Sequence, residues 1–404
     1  MSIKKIRLFF LFSLFFFHFS FVSALDFGMF LNQNAGYGGA GKDGSFDYKI
    51  GAVPRLTGLL GQTGDFIISA GIEADYNDSW KFVPELLRTE LSFHSGEWVF
   101  EFGRMYHSDP LGFAAEGLFD GVKVAYNSQA GTFSAGAWYT GLLYKKRTAI
   151  EMTDEETMAN NAPLDYGNFA GTYFAPKRFL GALGWEHLGG VVQARASVLG
   201  QFDFFAEKPL NSQYAVVKLT LPVKIFSFDL GGCFELLQND GETGTALAAS
   251  AGIAVTPQTV FKNRLSLLAR YFSGAGNGNT GVTAGAFTPF TSQSRWNIFK
   301  VKFSGLSIIT LDYAARLHPA FSAGLSSAYY IRNDFETYKG YPLSGETGKG
   351  YALGNEFFAR LLWSPSSDLH ANLGAGVFLP SMGDAAPNAD NFWRVELNIV
   401  FSLF

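Results

Sequence analysis

Charged side chains recur at alternate positions of otherwise apolar segments along much of this 404-residue sequence. The basic set is Arg88, Lys123, Arg195, Lys218, Arg264, Arg270, Arg316, Arg360 and Arg394. The acidic set is Glu73, Glu90, Glu101, Glu186, Asp229, Glu235, Asp312, Glu356 and Glu396. Alternate residues of an extended strand share one face, so these charges predict a wet polar face opposite an apolar one. Such a face binds or guides polar solutes through electrostatics.

The basic and acidic residues are nearly equal in number, and this allows two interpretations. Neighbours such as Glu356 with Arg360, Arg394 with Glu396, and Asp312 with Arg316 could form a solvated ladder that keeps the polar face wet. Alternatively, arginines on one wall could face acids on another, and the transverse field would orient polar solutes. The sequence leaves both open, because it does not say which charges lie at one height.

Catalytic and metal-binding patterns are absent from the sequence. The mature histidines are His94, His107, His187, His318 and His370, and no motif joins any of them to a nucleophilic serine. Scattered histidines and acids give no metal-ligand spacing, and Cys233 is the only cysteine. We therefore expect no enzyme, no metal and no cofactor. We expect Cys233 to be a small buried filler that points inward.

The last segment, residues 391–404, shows the elements that would position the charges. Val395, Leu397 and Ile399 fall on one face, and Arg394 and Glu396 fall on the other. A strand with one wholly apolar and one charged face separates lipid from water, and repetition of this pattern predicts a transmembrane antiparallel up-and-down β-barrel. The terminal Phe404 lies out of phase with the apolar face, so we expect the barrel-assembly machinery to recognise the strand as a whole.

The amino terminus predicts export. Lys4, Lys5 and Arg7 precede an apolar stretch at residues 8–22, and small residues follow up to Ala24. We predict a signal peptide at residues 1–24, cleaved near Ala24, and a barrel domain at residues 25–404 in the cell outer membrane. Cleavage removes three basic residues and changes the formal net charge from −4 to −7. That balance gives no reason to expect a nucleic-acid partner.

Eighteen segments have the alternating strand pattern, and sixteen strands is the alternative count. The segments are 25–34, 44–57, 63–77, 80–94, 97–106, 117–127, 131–140, 178–188, 190–203, 212–222, 225–238, 244–256, 262–273, 305–317, 321–332, 352–364, 368–379 and 391–404. An even count places both termini on the periplasmic side and the long loops outside. This parity requires residues 295–303 to belong to a loop and not to a nineteenth strand.

The long connections are predicted near residues 107–116, 141–177, 274–304, 333–351 and 380–390. The connection at 274–304 is the best candidate for a constriction or lid. Its glycines allow it to bend, and Phe287, Phe290 and Trp296 could anchor it inside the lumen or over the mouth. Deleting residues 276–292 is therefore predicted to raise conductance.

Several segments resemble the bacterial alginate export family of outer-membrane barrels. They are RLSLLARYFSG at 264–274, GAFTPF at 285–290, the strand–turn–strand segment 306–332, Gly103-Arg104 and FDGVKVAY at 119–126. The resemblance implies eighteen strands and transport of polyuronates or related solutes through a strongly basic lumen. The mixed lining and mature charge of −7 depart from that lumen and argue against a highly anionic polymer as cargo.

The resulting hypothesis is a monomeric channel, in contact with outer-membrane lipid, for small polar solutes or short oligosaccharides. One alternative is a hydrophobic transporter of the long-chain fatty-acid type, which would carry a helical plug before its first strand. Another is a surface adhesin or antigen that acts through loops such as 141–177, where Lys145-Lys146-Arg147 lies beside the acids of 151–156.

Overall fold

Alternation of apolar and polar residues produces a closed barrel in which every strand is antiparallel to both neighbours. The structure is a computed structural model, and it describes residues 22–77, 79–239, 241–275, 285–292, 297–335 and 350–403, with the side chains of 22–24 left out. The eighteen strands pair in sequence order, and β1 pairs with β18 to close the ring. The expected fold class and strand number are confirmed.

The strand bounds follow the sequence pattern closely. The first nine strands are β1 (Val22–Ala40), β2 (Ser45–Leu60), β3 (Gly64–Asn77), β4 (Ser79–Ser95), β5 (Trp98–Ser108), β6 (Glu116–Ser128), β7 (Gly131–Tyr139), β8 (Phe179–His187) and β9 (Gln193–Phe202). The second nine are β10 (Leu210–Val223), β11 (Phe226–Asn239), β12 (Glu242–Val255), β13 (Arg264–Phe272), β14 (Leu306–His318), β15 (Phe321–Arg332), β16 (Ala352–Trp363), β17 (Leu369–Leu379) and β18 (Phe392–Leu403). Residues 297–303 form no strand, as the parity argument requires.

The first strand is the largest departure from the expected bounds. β1 extends from Val22 to Ala40, beyond both ends of the expected segment 25–34. Its glycine-rich end pairs with β18 over residues 35–40 and with β2 over residues 35–38, even though glycine is a poor strand former. Pairing on both sides stabilises residues 35–38. Since β1 starts before the expected cleavage site near Ala24, that site stays a prediction, and Phe404 lies outside the described residues.

The outer face of the barrel is apolar and carries aromatic residues at both ends. Val395 and Leu397 are 46% and 40% exposed, whereas the alternating residues Arg394 and Glu396 are turned inward. Towards one end, Trp80 contacts the rings of Tyr48 and Tyr76; towards the other, Trp98 packs on Tyr126. An apolar band between two aromatic girdles is the surface of a barrel that spans a membrane.

The long connections between strands all lie at one end of the barrel. Residues 109–115, 140–178, 273–305, 333–351 and 380–391 connect strands at the end away from the termini. Turns such as 61–63, 96–97 and 319–320 lie at the end that holds the termini. The loop 140–178 contains three short helices, α1 (Lys145–Thr148), α2 (Asp154–Asn161) and α3 (Phe169–Tyr173). No helix in the described part of the chain is long and apolar enough to cross a membrane.

Candidate functional site: the lumen and its inner loops

The register places all eighteen of the predicted lining residues on the inward face. Lys123, for example, lies between Glu101 of β5 and Gly136 of β7, and residues paired across neighbouring strands share a face. The same phase holds from strand to strand around the ring, from Glu73 on β3 to Glu396 on β18. The strand register alone does not show which of these side chains are open to the lumen and which are buried under a loop.

Some of the inward charges form ion pairs at the wall. The pairs are Arg88–Glu90 at 2.5 Å, Lys123–Glu101 at 2.7 Å, Arg394–Glu396 at 3.1 Å and Arg195–Glu186 at 3.5 Å. Glu356 and Arg316, which were expected to pair with Arg360 and Asp312, form hydrogen bonds to the backbone. Arg316 donates to the carbonyl of Pro319 at 2.8 Å, and Glu356 binds backbone amides.

The described parts of the connection between β13 and β14, residues 273–275, 285–292 and 297–305, fold into the lumen and are called the inner loop below. Glu356 on β16 anchors one part of it, because its carboxylate accepts hydrogen bonds from the backbone N–H groups of Ile298 at 3.0 Å and Phe299 at 2.8 Å. Glu356 is only 2% exposed. It therefore holds the loop and contributes little exposed surface to the lumen.

A second carboxylate anchors the inner loop from another side of the barrel. Glu235 on β11 is fully buried and accepts a hydrogen bond from the Thr288 backbone N–H at 2.8 Å. The Tyr214 hydroxyl on β10 donates to the Thr288 carbonyl at 2.6 Å. Both polar groups of one loop peptide are thus bound by the wall, and Glu235, like Glu356, is covered by the loop.

Phenylalanines fill the space between the inner loop and the wall. Phe287 and Phe290 are fully buried, with ring centroids 5.8 Å from Phe272 and 5.9 Å from Phe119. Phe299 stacks on another wall ring, Phe378, at 3.9 Å. Two of the three aromatic residues expected at a constriction thus pack the loop against the wall. The third, Trp296, lies outside the described residues.

The loop after β5, residues 109–115, also enters the lumen. The Asp109 carboxylate accepts from four backbone N–H groups, those of Leu111, Gly112, Ala114 and Ala115, at 2.8–2.9 Å. This holds the segment in a tight turn that reaches across to Gly231 on β11, where an added Cβ would lie 2.3 Å from the Leu111 side chain. The turn also meets the inner loop, whose Phe290 N–H donates to the Ala114 carbonyl at 2.7 Å.

The loop 140–178 contributes a third inward element. The Lys145 ammonium donates to the Ala159 and Ala162 carbonyls at the end of α2, at 2.7 and 3.0 Å. A cation at a helix carboxyl terminus is favoured by the unpaired carbonyls and the helix dipole. The Ser292 N–H donates to Ala149, which links this loop to the inner loop. Burial raises the pKa of Tyr144 and of Tyr173 to about 12, so both hydroxyls stay protonated.

Asp47, Lys49 and Asp75, on β2 and β3, were not selected in the sequence analysis, and they form a polar cluster with two residues that were, Glu73 and Arg394. Lys49 lies 3.6 Å from Glu73 and 3.5 Å from Asp75, and Arg394 forms a bidentate pair with Asp47 at 2.8 and 2.9 Å. The sequence does indicate that these charges face inward, because Asp47 and Lys49 alternate with Phe46, Tyr48 and Ile50. Burial lowers the pKa of Lys146, which faces this cluster from α1.

Two lumen cavities remain beside the inward loops. One, of about 490 Å³, lies against β5–β9, where Lys123, Trp138, Glu186 and Arg195 contribute to its lining. The other, of about 360 Å³, lies against β13–β16 and is lined in part by five other predicted charges. These charges are Arg264, Arg270, Asp312, Glu356 and Arg360. Within the described ranges, no three His, Cys, Asp or Glu side chains lie close enough together to hold a metal ion.

No protein-family model and no curated protein sequence matches this chain. Solved structures with a similar fold come from Pseudomonas aeruginosa. OccK2 (OpdF), solved in complex with glucuronate, matches at a TM-score of 0.62 and 10% identity, over 95% of this chain and 99% of that one. OccD3 (OpdP) matches at 0.57 and 12%, over 95% and 93%.

A third similar structure is OpdK with vanillate, at a TM-score of 0.58 and 9% identity, over 94% of this chain and 98% of that one. At identities this low, the similarity concerns the backbone fold. It extends over nearly the whole of both chains, so this chain shares its barrel fold with these P. aeruginosa proteins.

Proposed function

We propose that this chain is an outer-membrane channel that passes small polar solutes or short oligosaccharides. The observation that carries the proposal is the charged lumen narrowed by three inward loops. An eighteen-strand barrel is too wide for its wall side chains to close, so the loops set the width of the passage. A wall that carries both positive and negative charges lowers the free-energy cost of moving a hydrated polar solute through the lumen.

The size of the cargo follows from the loops. The inner loop is anchored by buried carboxylates on β11 and β16, and the turn at 109–115 reaches the wall at Gly231. A lumen divided in this way suits single small molecules better than a continuous polymer. The resemblance to the alginate export family extends the proposal to short oligosaccharides, while the two-signed lining disfavours long polyuronates.

Two of the similar structures were solved with a small carboxylate, glucuronate or vanillate. For this chain, both molecules are suitable first probes, because the lumen offers Lys123, Arg195 and the arginines of β13–β16 to an anion. The proposed state is a monomer in outer-membrane lipid, delivered after signal-peptide cleavage near Ala24 and inserted by the barrel-assembly machinery.

The experiment is single-channel recording of the refolded mature chain, residues 25–404, in a planar bilayer. We expect a steady open conductance with weak ion selectivity, and brief current blocks when glucuronate is added. Heat-modifiable migration in a gel verifies that the barrel is folded. A correctly folded barrel that stays silent at all voltages would contradict the channel proposal and favour the surface-protein alternative.

A further inference from the structure

The barrel wall has a seam in the half that carries the long loops. The ladder between β4 and β5 runs from Ser95↔Trp98 to Thr89↔Arg104 and then stops, although β4 continues to Ser79. On its other side, β4 stays paired with β3 as far as Ser79. Residues 79–88 of β4 therefore lack a strand neighbour on the β5 side.

Pro84 gives a local reason for the seam. Proline has no backbone N–H and is found in sheets almost only where a strand has a free edge. At Gly103, opposite the end of the ladder, φ is +102°, and an added Cβ would lie 1.7 Å from the Thr89 carbonyl oxygen. Gly103 thus lies at the end of the ladder, beside its last pair Thr89↔Arg104, and Pro84 lies five residues farther along the unpaired part of β4.

Side chains replace the missing strand along this edge. The Tyr166 hydroxyl accepts from the Phe82 N–H at 2.7 Å and donates to the Phe82 carbonyl at 3.0 Å. The Tyr173 hydroxyl donates to the Pro84 carbonyl at 2.6 Å, and the Arg104 guanidinium donates to the Leu86 carbonyl. Both tyrosines belong to loop 140–178, so this loop closes the wall here.

The loop at the seam connects the lumen with the outer surface. On the inner side, Arg147 forms an ion pair with Glu85, which faces the lumen acids of β3. On the outer side, Tyr166 and Leu142 are 57% and 56% exposed. A void of about 10 Å³, the space of a single water, lies between the two sides.

The two edges of the loop are held differently. At its far edge, Arg178 is 1% exposed and binds Glu156, Gln201 and the Leu210 carbonyl, each at 2.7 Å. At the seam, the contacts to the β4 backbone are a few side-chain hydrogen bonds in place of a ladder. The loop is therefore held at β8–β10 by a buried arginine. At β4 it is held by the hydrogen bonds of Tyr166 and Tyr173, which are called the latch below.

We propose that the β4–β5 seam is a side opening of the barrel, closed by loop 140–178, through which a single-chain amphiphile passes between the lumen and the lipid. The inference rests on the membrane location proposed above and goes beyond passage along the barrel axis. The charged residues on the inner side suit the head of such a molecule, and the apolar outer edge suits its tail.

The test uses decanesulfonate as the amphiphile and methanesulfonate as the tailless control, both added to an open single channel. In the variant Tyr166→Phe with Tyr173→Phe, which keeps the rings and removes both latching hydroxyls, we expect decanesulfonate to interrupt the current at least fivefold more often than in the unmodified channel. Methanesulfonate should give equal block in both. Tyr329→Phe, which removes a hydroxyl bonded to Met382 in another loop, is the matched control.

A locked channel gives the reverse test. Phe82→Cys with Tyr166→Cys, in a Cys233→Ala background, can be bridged by a short bismaleimide on the outer surface, away from the lumen. Cross-linking should abolish the decanesulfonate interruptions and leave the KCl conductance unchanged. Equal decanesulfonate block in the unmodified channel, the double Tyr→Phe variant and the cross-linked channel would overturn the side opening. That result would leave the proposal of passage along the barrel axis intact. Absence of any KCl current would instead contradict the proposed function.

Discussion

The Glu356 carboxylate and the Phe299 backbone N–H are 2.8 Å apart, inside a barrel lumen where neither is exposed. Hydrogen bonds between an ionised carboxylate and backbone amides are stronger than neutral ones. Ile298 donates to the same oxygen at 3.0 Å, so the chain at 298–299 is fixed by a single side chain. The position of the inner loop therefore depends on the charge of Glu356.

Replacing this residue should release the inner loop. In Glu356→Gln, the side-chain amide brings its own N–H₂ towards the loop N–H groups, and loss of the charged contact costs about 1–3 kcal/mol. We expect a larger mean conductance and more open-channel noise in single-channel recordings. Glu186→Gln is the control, since that carboxylate is well exposed and only pairs with Arg195 at 3.5 Å. Identical currents in Glu356→Gln and the unmodified channel would refute the anchoring role.

Deleting residues 276–292 is a second way to remove the constriction. The deletion takes out Phe287, Phe290 and the Thr288 peptide that binds Glu235 and Tyr214. We expect the conductance to rise more than in Glu356→Gln. Combining the two changes should add little, because both act on one loop and coupled sites are non-additive. Fully additive conductance changes in planar bilayers would show that the two segments block separate paths.

The strand pattern and the burial of side chains differ in how far the sequence predicts them. Period-two alternation predicted all eighteen strands, because each apolar face must meet lipid and a one-residue slip would bury charges there. The same pattern put Glu235 and Glu356 on the inward face. It could not show that they are buried, because the loop residues that cover them are distant in sequence.

The inward folding of the loops was predictable only in part. Glycines and phenylalanines indicated that the connection 274–304 could enter the lumen, and Phe287 and Phe290 do pack inside the barrel. The reach of Leu111 to Gly231 and the latch of Tyr166 on β4 have no local signature, since each depends on three-dimensional proximity between distant segments. Pro84 was a readable sign of a free strand edge.

Arg104 should be a stability determinant of the wall. It is 4% exposed, pairs with both oxygens of Asp120 at 2.8 Å, and donates to the Leu142 carbonyl at 3.0 Å. Removing one partner of a buried pair typically costs about 3–5 kcal/mol. We expect Arg104→Ala to lower the free energy of unfolding by about that amount in urea titrations of the refolded barrel in lipid.

The control for Arg104 is Arg195→Ala. Arg195 is well exposed and its nearest acidic atom lies 3.5 Å away. Exposed ion pairs contribute about 0–1 kcal/mol. Equal destabilisation by the two substitutions would mean that the wall at the seam does not depend on Arg104.

The cluster at Lys49 should set the ion preference of the passage. Lys49 lies between Glu73 and Asp75, and a unit charge about 4 Å from a passing ion changes its energy by about 1 kcal/mol in water. Glu73→Gln with Asp75→Asn should therefore shift the reversal potential in a KCl gradient towards that of chloride, and Lys49→Gln should shift it towards that of potassium. Because salt screens these charges, both shifts should be larger at about 0.1 M than at 1 M KCl. Shifts of the same sign in the two variants would place the conducting path elsewhere in the lumen, beside the cavities at β5–β9 or β13–β16.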